Sequence, residues 1–543
     1  MRKRSLALAY VYDRELHESI NRSGENFWEI YIREMNELLG VCAVSLPLAA
    51  LEDMSKLKEI KTLLIGSQSG SRLTAKARQN LAAWVQEGGN LIGFAVSGLD
   101  EVFGIESRGT IKQEPDDYSI SGYFNLLRHS ITTEVHPFLF LEQHLLILSD
   151  IQTVLRKDSE ELGNLYDTAG NDMNQSVITW RRFGKGYAGY FAFDVPKTVW
   201  LLHQGRPLYG INDGRNRRTY CLQVIGNNSR KVPYADVLVF LLQNMIAQNP
   251  QPFIYQIPPA GDRIPDALFY WSGDEYFGPT KLSLDASDFM KEKGLPYHIN
   301  IGVEQHKGQK DGHPMTQNDF RHIRNNGHEI SLWYKLFDED NRDITEDLIK
   351  YQTDLFYERY GIRPVCTLMH SCNWQGWVEP ARHMAKAGVK ADNSFIPLSV
   401  PPLSFSHLNS AQFGFGFGTS YPFHFYESYE QSNTRLGFIE EPIICYEVGH
   451  RGSAITQELQ DKETKASEEV HLPIDMAVKY HFVMNMFYHP LYIANFPRCR
   501  EAIEEILRYI EYIGARVLHM GNDQVCEWWE ARSRSTVNDL IVQ

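Results

Sequence analysis

The chain has 543 residues and a formal net charge of −14 at pH 7. This length exceeds what one ordinary hydrophobic core supports, so we expect at least two domains. The acidic balance argues against a general binder of nucleic-acid phosphates. The seven cysteines are scattered and show no C-x-x-C pair, which disfavours both structural zinc and a disulfide framework.

The amino terminus carries no convincing targeting segment. A basic start is followed by the apolar run 6–11, which is too short for a signal peptide and is broken by Asp13, Arg14 and Glu15. The sequence contains no run of 18 apolar residues, the length that a membrane-spanning helix needs. We expect a cytoplasmic protein by default, and the alternative of an exported precursor with a trimmed signal stays open.

The first third of the chain has the pattern of a parallel α/β unit. Apolar runs at 6–11, 61–66 and 90–95 predict buried strands. A helix is predicted to begin after Thr74 and to end at Gly88-Gly89, because Thr is a favourable N-cap and Gly a favourable C-terminal residue. Strand, helix, Gly-Gly turn and strand in this order predict a flavodoxin-like parallel sheet.

This region resembles the class I glutamine amidotransferase-like domain that accompanies carbohydrate enzymes. The resemblance implies a nucleophilic Cys on the tight turn after a central strand. Here the turn is 66–70 (GSQSG), with no Cys and with Gln68 at the serine position of G-x-S-x-G. We interpret the turn as a helix entry and not as a site for Ser67 or Ser69.

Short β-like runs between about 110 and 200 predict a β-rich insertion, and Pro-rich linkers place a domain boundary at 258. From 266 onward strands and helices alternate, which predicts a distorted (β/α) barrel over 259–543. The stretch at about 400–470 is richer in Gly and aromatics and is interpreted as an insertion. The predicted barrel strands are 267–272, 297–303, 328–334, 365–370 and 388–393.

The segment Phe269–Glu275 (FYWSGDE) is an apolar run that ends in a small-residue turn and two carboxylates. Barrel strands deliver catalytic residues to the mouth in this way. Adjacent strand residues point to opposite faces, so both carboxylates reach one site only where the strand has ended. Together with the later segment Asn326–Ile330 (NGHEI), it resembles the first two motifs of the polysaccharide deacetylase (NodB-like, carbohydrate esterase family 4) barrel.

The resemblance implies metal-dependent removal of an acyl group from a carbohydrate, with zinc as the expected divalent ion. Asp274 matches the metal ligand or base of the first motif, with Glu275 as its catalytic neighbour. His328 matches the second motif and is a metal candidate or a hydrogen-bonded barrel-floor His. The two histidines that normally complete the metal shell fall at Trp333 and Phe337, neither of which binds a metal.

Three further strand-end residues are candidates. His370 ends the strand at 365–370 and is a possible metal ligand or acid–base group. By the resemblance, Asp392 orients the catalytic His, and a turn carboxylate is its structural alternative. His489, in the segment 487–490 (FYHP), resembles the last motif, whose His protonates the leaving group.

Aromatic side chains supply candidate sugar platforms, because a pyranose has an apolar face. We predict substrate binding by Trp374, Trp377 and Tyr421; the stretch 413–424 is either a further platform or packing at the barrel mouth. The predicted partner is therefore a carbohydrate. The alternative function is a catalytically inactive deacetylase-like barrel that binds glycan or acts as a scaffold in polysaccharide biosynthesis.

Overall fold

A computed structural model of the protein describes residues 8–133, 135, 144–212, 217–222, 231–275, 280–304, 314–335, 343–396, 413–449 and 466–535. Of the residues that the sequence singles out, Phe337 and part of the stretch 400–470 lie outside these ranges.

The amino-terminal region is built on a nine-stranded sheet whose strands lie in the order Ala43–Leu46, Leu8–Val11, Thr62–Ile65, Asn90–Phe94, Gly186–Phe191, Asp172–Phe183, Glu160–Tyr166, Gly122–Leu126 and Leu145–Ile147. The first five strands run parallel, and their order is that of a flavodoxin-like fold. The other strands extend the sheet in the antiparallel sense. The predicted flavodoxin-like parallel sheet is therefore confirmed.

The strands of this region are β1 Leu8–Val11, β2 Ala43–Leu46, β3 Thr62–Ile65, β4 Asn90–Phe94, β5 Ile105–Ile111, β6 Gly122–Leu126, β7 Leu145–Ile147, β8 Ile151–Arg156, β9 Glu160–Tyr166, β10 Asp172–Phe183, β11 Gly186–Phe191, β12 Arg206–Asn212 and β13 Arg217–Leu222. Its helices are α1 Arg14–Arg22, α2 Ile32–Leu39, α3 Met54–Leu57, α4 Ser67–Gly70, α5 Ala75–Gln86, α6 Asp100–Phe103, α7 Val195–Gln204 and α8 Tyr234–Ile246.

The carboxy-terminal region is a ring of parallel strands covered by helices. Its strands are β14 Ala267–Asp274, β15 His298–Ile301, β16 Glu329–Tyr334, β17 Cys366–Met369, β18 Ala391–Asp392, β19 Phe423–Tyr426, β20 Arg435–Glu440, β21 Ile443–Tyr446, β22 Val483–Phe487 and β23 Val517–Met520. Its helices are α9 Thr280–Glu292, α10 Gln317–Asn325, α11 Glu346–Tyr360, α12 Glu379–Lys386, α13 Ala466–Tyr480, α14 Pro490–Asn495, α15 Pro497–Tyr512 and α16 Asn522–Arg534.

The ring closes through the segment 435–446. Strands β14 to β18 pair in sequence order, and β22 pairs with the other side of β14. The first half of 435–446 pairs with β18, and its second half pairs with β22. The stretch that was interpreted as an insertion thus supplies the strands that complete the ring, and the predicted distorted barrel is confirmed.

Local sequence signals explain several helix ends, and the predicted N-cap at Thr74 is confirmed. Thr74 accepts a hydrogen bond from the backbone N–H of Ala77 at 3.1 Å, and Thr316 accepts one from Asp319 at 3.2 Å. Gly361 ends α11 with a φ of 75°, which a residue without Cβ adopts freely. Among the described residues, no helix combines the length and the apolar character needed to cross a membrane.

The two regions meet through buried polar contacts. The side-chain amide of Gln204 exchanges two hydrogen bonds with the backbone of Tyr426, at 2.7 and 3.1 Å. The guanidinium of Arg532 donates to the carbonyls of Leu38 and Ile254, at 2.8 and 2.9 Å. These buried donors and acceptors have hydrogen-bond partners only when both regions are folded and in contact. The boundary at 258 stays a prediction; it falls in the segment between α8 and β14.

Candidate active site at the barrel mouth

Three ionisable side chains meet where β14, β21 and β22 end. Asp274 is the last residue of β14, Glu447 follows β21 directly, and His489 lies just beyond β22. Nε2 of His489 lies 2.9 Å from Oδ1 of Asp274, and Nδ1 lies 2.5 Å from Oε1 of Glu447. We call these three residues the mouth cluster, because the carboxyl ends of barrel strands form the mouth.

The alternation of β14 explains why Asp274 faces the inside of the ring. The hydroxyl of Ser272 donates to the side-chain oxygen of Asn393, which follows β18 across the ring, at 3.0 Å, and accepts from the side-chain amide of Asn485 on the neighbouring strand β22 at 2.9 Å. Side chains two apart on a strand share a face, so Asp274 faces the same lumen one step closer to the mouth.

Close backbone approaches bring the other two residues to Asp274. A Cβ at Gly273 would lie 2.1 Å from the carbonyl oxygen of Tyr488, so only glycine allows β14 to lie this close to the residue before His489. Pro490 then starts α14 and turns the chain away. Glu447 has a φ of 50°, a left-handed conformation that costs about 1 kcal/mol in a residue with a Cβ. Strained positions of this kind concentrate at functional sites.

The mouth cluster holds its histidine in the charged form. Asp274, Glu447 and His489 are exposed by only 5%, 2% and 5%. Burial lowers the pKa of His489, but the two carboxylates more than offset this effect and raise the pKa to about 10. At neutral pH His489 is therefore an imidazolium with a carboxylate at each ring nitrogen.

This arrangement pairs a proton donor with a proton acceptor. An imidazolium can protonate a leaving group, and a carboxylate can take a proton from water. The bond to Nδ1 lets Glu447 fix the orientation of the His489 ring, so that Nε2 always faces Asp274. The mouth cluster therefore has the components of general acid–base catalysis.

Asp392 does not have the orienting role that we predicted for it. Its carboxylate accepts a hydrogen bond from the hydroxyl of Thr367 at 3.2 Å. The same hydroxyl contacts the sulfur of Met384 in α12, whereas the next residue, Asn393, faces the lumen. Asp392 thus lies on the helix-covered side of the sheet, since strand neighbours point to opposite faces. Glu447 orients His489 instead.

Glu275 is also turned away from the mouth cluster. Its backbone N–H donates to the carbonyl of Asn300 at 2.8 Å, so the pairing with β15 continues past Asp274 and alternation holds. Burial, and to a lesser extent the charge of Asp274, raises the pKa of Glu275 to about 8. A hydrogen bond from the backbone of Gly302 lowers this pKa but does not offset the burial. The structure therefore separates the two adjacent carboxylates that we expected to share one site.

The two histidine candidates for metal binding lie at opposite ends of the ring. His370 follows β17 at the mouth, where its ring lies over that of Trp333 with a centroid distance of 4.6 Å. His328 precedes β16, and its Nε2 donates to the carbonyl of Ser287 at 2.8 Å. Because all these strands are parallel, His328 lies far from Asp274, which corrects its assignment as a shared ligand.

Among the residues that the structure describes, the donors at the mouth do not fit the expected zinc ion. Structural and catalytic zinc sites need three or four converging His, Cys or carboxylate ligands. Trp333 is buried at one position where a histidine was expected, and Asp274 is engaged by His489. Among the described residues, two sets of side chains are close enough to share an ion. Both lie elsewhere, and neither includes Asp274.

Two of the three predicted sugar platforms are core residues. Trp374 and Tyr421 are exposed by 0% and 1%, and they pack against Phe425 and Trp529, at centroid distances of 5.5 and 6.2 Å. Neither ring has a face for a sugar. Trp377 is half-buried, and its indole N–H donates to the carbonyl of Gly205 at 3.2 Å, away from the mouth cluster.

Other aromatic residues line the mouth cluster. The ring of Phe487 lies 5.1 Å from that of His489 and stacks on Tyr446 at 5.4 Å. Trp333 belongs to the same buried apolar group as Phe487. Tyr446 and Glu447 were not among the predicted site residues, although the run Ile443–Glu447 repeats the signal of β14: apolar residues and then a carboxylate.

No family model and no curated protein matches the chain. Among solved structures it is similar to a "putative polysaccharide deacetylase" from Mycobacterium smegmatis, with 13% identity over 53% of this chain and 98% of that chain and a TM-score of 0.35. A β-galactosidase from Bacillus circulans sp. alkalophilus matches with 16% identity over 35% of this chain and 29% of that chain, at a TM-score of 0.27. An exo-β-1,4-mannosidase from Opitutaceae bacterium strain TAV5 matches with 14% identity over 36% of this chain and 33% of that chain, at a TM-score of 0.24.

The chain spans less than a third of the β-galactosidase that it matches. TM-scores of 0.35 and below carry no argument about activity, and shared architecture does not imply shared function. The class of protein is therefore set by its own architecture: an α/β protein with a parallel-sheet region, a closed barrel and an acid–base cluster at the barrel mouth.

Proposed function

We propose that the barrel is a hydrolase that removes an acyl group, in the simplest case acetyl, from a carbohydrate. The observation that supports this proposal most is the 2.9 Å contact between Asp274 and a His489 imidazolium that Glu447 holds in place. The substrate class rests on the resemblance of the segments that contain Asp274 and His489 to polysaccharide deacetylase motifs.

In the proposed reaction Asp274 is the general base and His489 is the general acid. Asp274 removes a proton from water while the water oxygen forms a bond to the acyl carbon. His489 donates its Nε2 proton to the leaving nitrogen or oxygen as the bond to the acyl carbon breaks. The acid and the amine or alcohol leave. The protonated Asp274 then returns its proton to His489 across their direct contact, which restores the starting state.

Two neighbours are proposed to support these steps. Glu447 stabilises the positive charge of His489 before proton transfer and keeps Nε2 directed at the reacting atoms. His370, at the end of β17 on another side of the mouth, is proposed to stabilise the oxyanion of the tetrahedral intermediate. The proposed steps use side chains alone, and the arrangement of the described donors around Asp274 supports this choice.

A second candidate function is glycan binding or scaffolding without turnover. It is favoured by Trp333, which is exposed by only 3% and packs with Phe487 and Ile396 in the mouth. A large apolar side chain there replaces a catalytic ligand of the family that the sequence resembles. A barrel of this kind can retain its sugar-binding surface after losing its reaction.

Acetate release from acetylated oligosaccharides tests the proposal. We expect the wild-type chain to release acetate without added metal, and Asp274→Asn or His489→Gln to reduce kcat/KM at least about 100-fold. Asp392→Asn is the matched control, because it removes a buried carboxylate from the neighbouring part of the ring outside the mouth cluster. Circular dichroism checks that each variant is folded.

Three outcomes would count against this mechanism. Release that needs added Zn²⁺ would contradict a reaction carried out by side chains alone. Equal loss in the Asp392→Asn control would show that the effect is structural. No release from any acetylated oligosaccharide, combined with glycan binding that survives Asp274→Asn, would establish the binding function instead.

A further inference from the structure

A second ionisable cluster lies at the opposite end of the barrel, where the strands begin. His298 and Glu329 are the first residues of β15 and β16, and Asp523 lies at the start of α16. Nδ1 of His298 lies 3.0 Å from Oε2 of Glu329 and 3.5 Å from Oδ1 of Asp523. We call these three residues the floor cluster.

The histidine of the floor cluster is oriented in the way metal-binding histidines are. Its second nitrogen, Nε2, lies 3.1 Å from the backbone carbonyl oxygen of Cys366. A carbonyl oxygen only accepts, so Nε2 is the donor in this contact. The side chain of Asn300 lies 3.2 Å from the same nitrogen, and Nδ1 faces the carboxylates. Metal-ligating histidines commonly donate their other ring N–H to a carbonyl or carboxylate, which fixes the ring.

Backbone N–H groups orient both carboxylates. Glu329 accepts from the N–H groups of Asp523 and Gln524, at 2.9 and 3.1 Å, in the first turn of α16. Oδ1 of Asp523 accepts from the N–H of Cys366 at 3.1 Å. Each carboxylate oxygen has more than one lone pair, so these bonds position the groups and leave them able to coordinate an ion.

A fourth carboxylate supplies an independent sign of a missing ligand. Glu441 is exposed by 0%, and its Oε1 has no hydrogen-bond partner within the described part of the chain. Its Oε2 lies 3.5 Å from Sγ of Cys366, the residue whose backbone contacts both His298 and Asp523. A fully buried carboxylate oxygen without a partner is costly unless it meets a cation or a proton.

The spacing of the donors suits a small divalent cation. Ligand atoms about 2.1 Å from an ion lie about 3.0 Å apart at right angles and about 3.4 Å apart at the tetrahedral angle. The separations of 3.0 and 3.5 Å in the floor cluster match these values. Imidazole with carboxylates is a ligand set that first-row divalent metals accept.

Another group of donors shows what a cluster without room for a cation looks like. Glu34, Glu37 and His424 are also close together, but the guanidinium of Arg435 lies among them. Its nitrogens contact both carboxylates and the ring of His424. A cation is already built into that cluster, whereas among the described residues the carboxylates of the floor cluster form ion pairs with His298 alone.

We propose that the floor cluster binds one first-row divalent cation, for which Zn²⁺ is the probe, through His298, Glu329 and Asp523, with the buried carboxylate of Glu441 adding negative charge nearby. The bound ion connects the starts of β15 and β16 to the first turn of α16. This site lies at the end of the barrel remote from Asp274, and it does not depend on the proposed hydrolase activity.

Zinc binding to chelator-stripped full-length protein tests the proposal. We expect one Zn²⁺ per chain, and at least a tenfold weaker affinity in Asp523→Asn and in Glu441→Gln. Glu440→Gln is the matched control: this neighbouring buried carboxylate accepts from the N–H of Phe395 at 2.8 Å and is expected to leave the affinity unchanged. Asp274→Asn is likewise expected to retain the zinc.

The outcomes separate the floor cluster from the mouth. Zinc that is lost in Asp274→Asn and kept in Asp523→Asn would overturn the proposal. So would wild-type protein that retains no zinc, which would make the floor cluster an imidazolium held by hydrogen bonds. If Asp523→Asn does not fold, Glu441→Gln decides, with the visible spectrum of bound Co²⁺ as a second readout that must change.

Discussion

The mouth and the floor of the barrel contain the same chemical groups in different arrangements. At the mouth, His489 has one carboxylate at each ring nitrogen, at 2.9 and 2.5 Å. At the floor, the carboxylates of Glu329 and Asp523 both approach Nδ1 of His298, and the other nitrogen donates to a backbone carbonyl. At the mouth, an imidazolium thus lies between two carboxylates. At the floor, several potential metal ligands face one point.

This difference shows that composition does not decide what a His–carboxylate cluster does. Carboxylates on both sides of the ring stabilise the imidazolium and make it a proton donor. Carboxylates that converge on one nitrogen form a pocket for positive charge, which either a proton or a metal ion can supply. Which nitrogen each carboxylate reaches is therefore the property to test.

The largest expected effect is on the stability of the floor. Glu329→Ala removes the acceptor of two N–H groups of α16 and a charge partner of His298, so we expect unfolding free energy to fall by about 3–5 kcal/mol. Glu530→Ala, on the same helix, removes only exposed contacts with Lys390 and Arg534 and is expected to cost less than about 1 kcal/mol. Urea denaturation measures both; equal values would show that the floor cluster does not hold α16.

The second effect concerns the pH dependence of the mouth. The pKa of His489 is raised to about 10, so its contribution is complete below the ordinary His pKa and is lost as pH rises through about 10. Between pH 7 and 10 we expect this group to lower unfolding free energy by about 1.4 kcal/mol per pH unit. His489→Gln should lack this slope. An unchanged slope in the variant would mean that the carboxylates do not hold a proton there.

The smallest effect distinguishes Glu275 from the mouth cluster. Because burial raises its pKa to about 8, the folded state holds a proton that the unfolded state releases above its ordinary value. Stability therefore falls as pH rises from about 4.3 to about 8. The full shift would correspond to about 5 kcal/mol. Because Glu275 is partly exposed and solvent screens its charge, we expect Glu275→Gln to stabilise the protein by on the order of 1 kcal/mol at pH 8 and hardly at all at pH 4.5. Destabilisation of this variant at pH 8 would show that the folded protein needs a negative charge at position 275.

Much of the barrel is predictable because its strands are buried on both faces. Such strands appear as uninterrupted apolar runs, and every residue of β14 is buried. Asp274 and His489 each come directly after a run of this kind, which is why the sequence identifies both. The flavodoxin-like sheet is predictable for the same reason, since β3 and β4 are also fully buried.

The misassigned residues share a different physical cause. Asp392 and Glu275 follow or end strands too, but side-chain alternation sends them to the helix-covered side of the sheet. Glu447 was missed because β20 and β21 are short and are separated by Glu441 and Pro442, so that the closing segment has no clear strand pattern. Aromatic residues such as Trp374 look like sugar platforms in sequence, although packing makes them core.

By itself, the sequence determined the class of fold, the order of the elements and the residues at which most strands end, because these depend on local patterns of apolar residues, caps and turns. Only the tertiary structure decided which charged side chains meet. His298 and Glu329 are 31 positions apart, and Glu329 and Asp523 are 194 apart, with no pattern that links them. Closure of a parallel ring brings the starts of distant strands together at the floor and their ends together at the mouth, and this closure gives each histidine its partners.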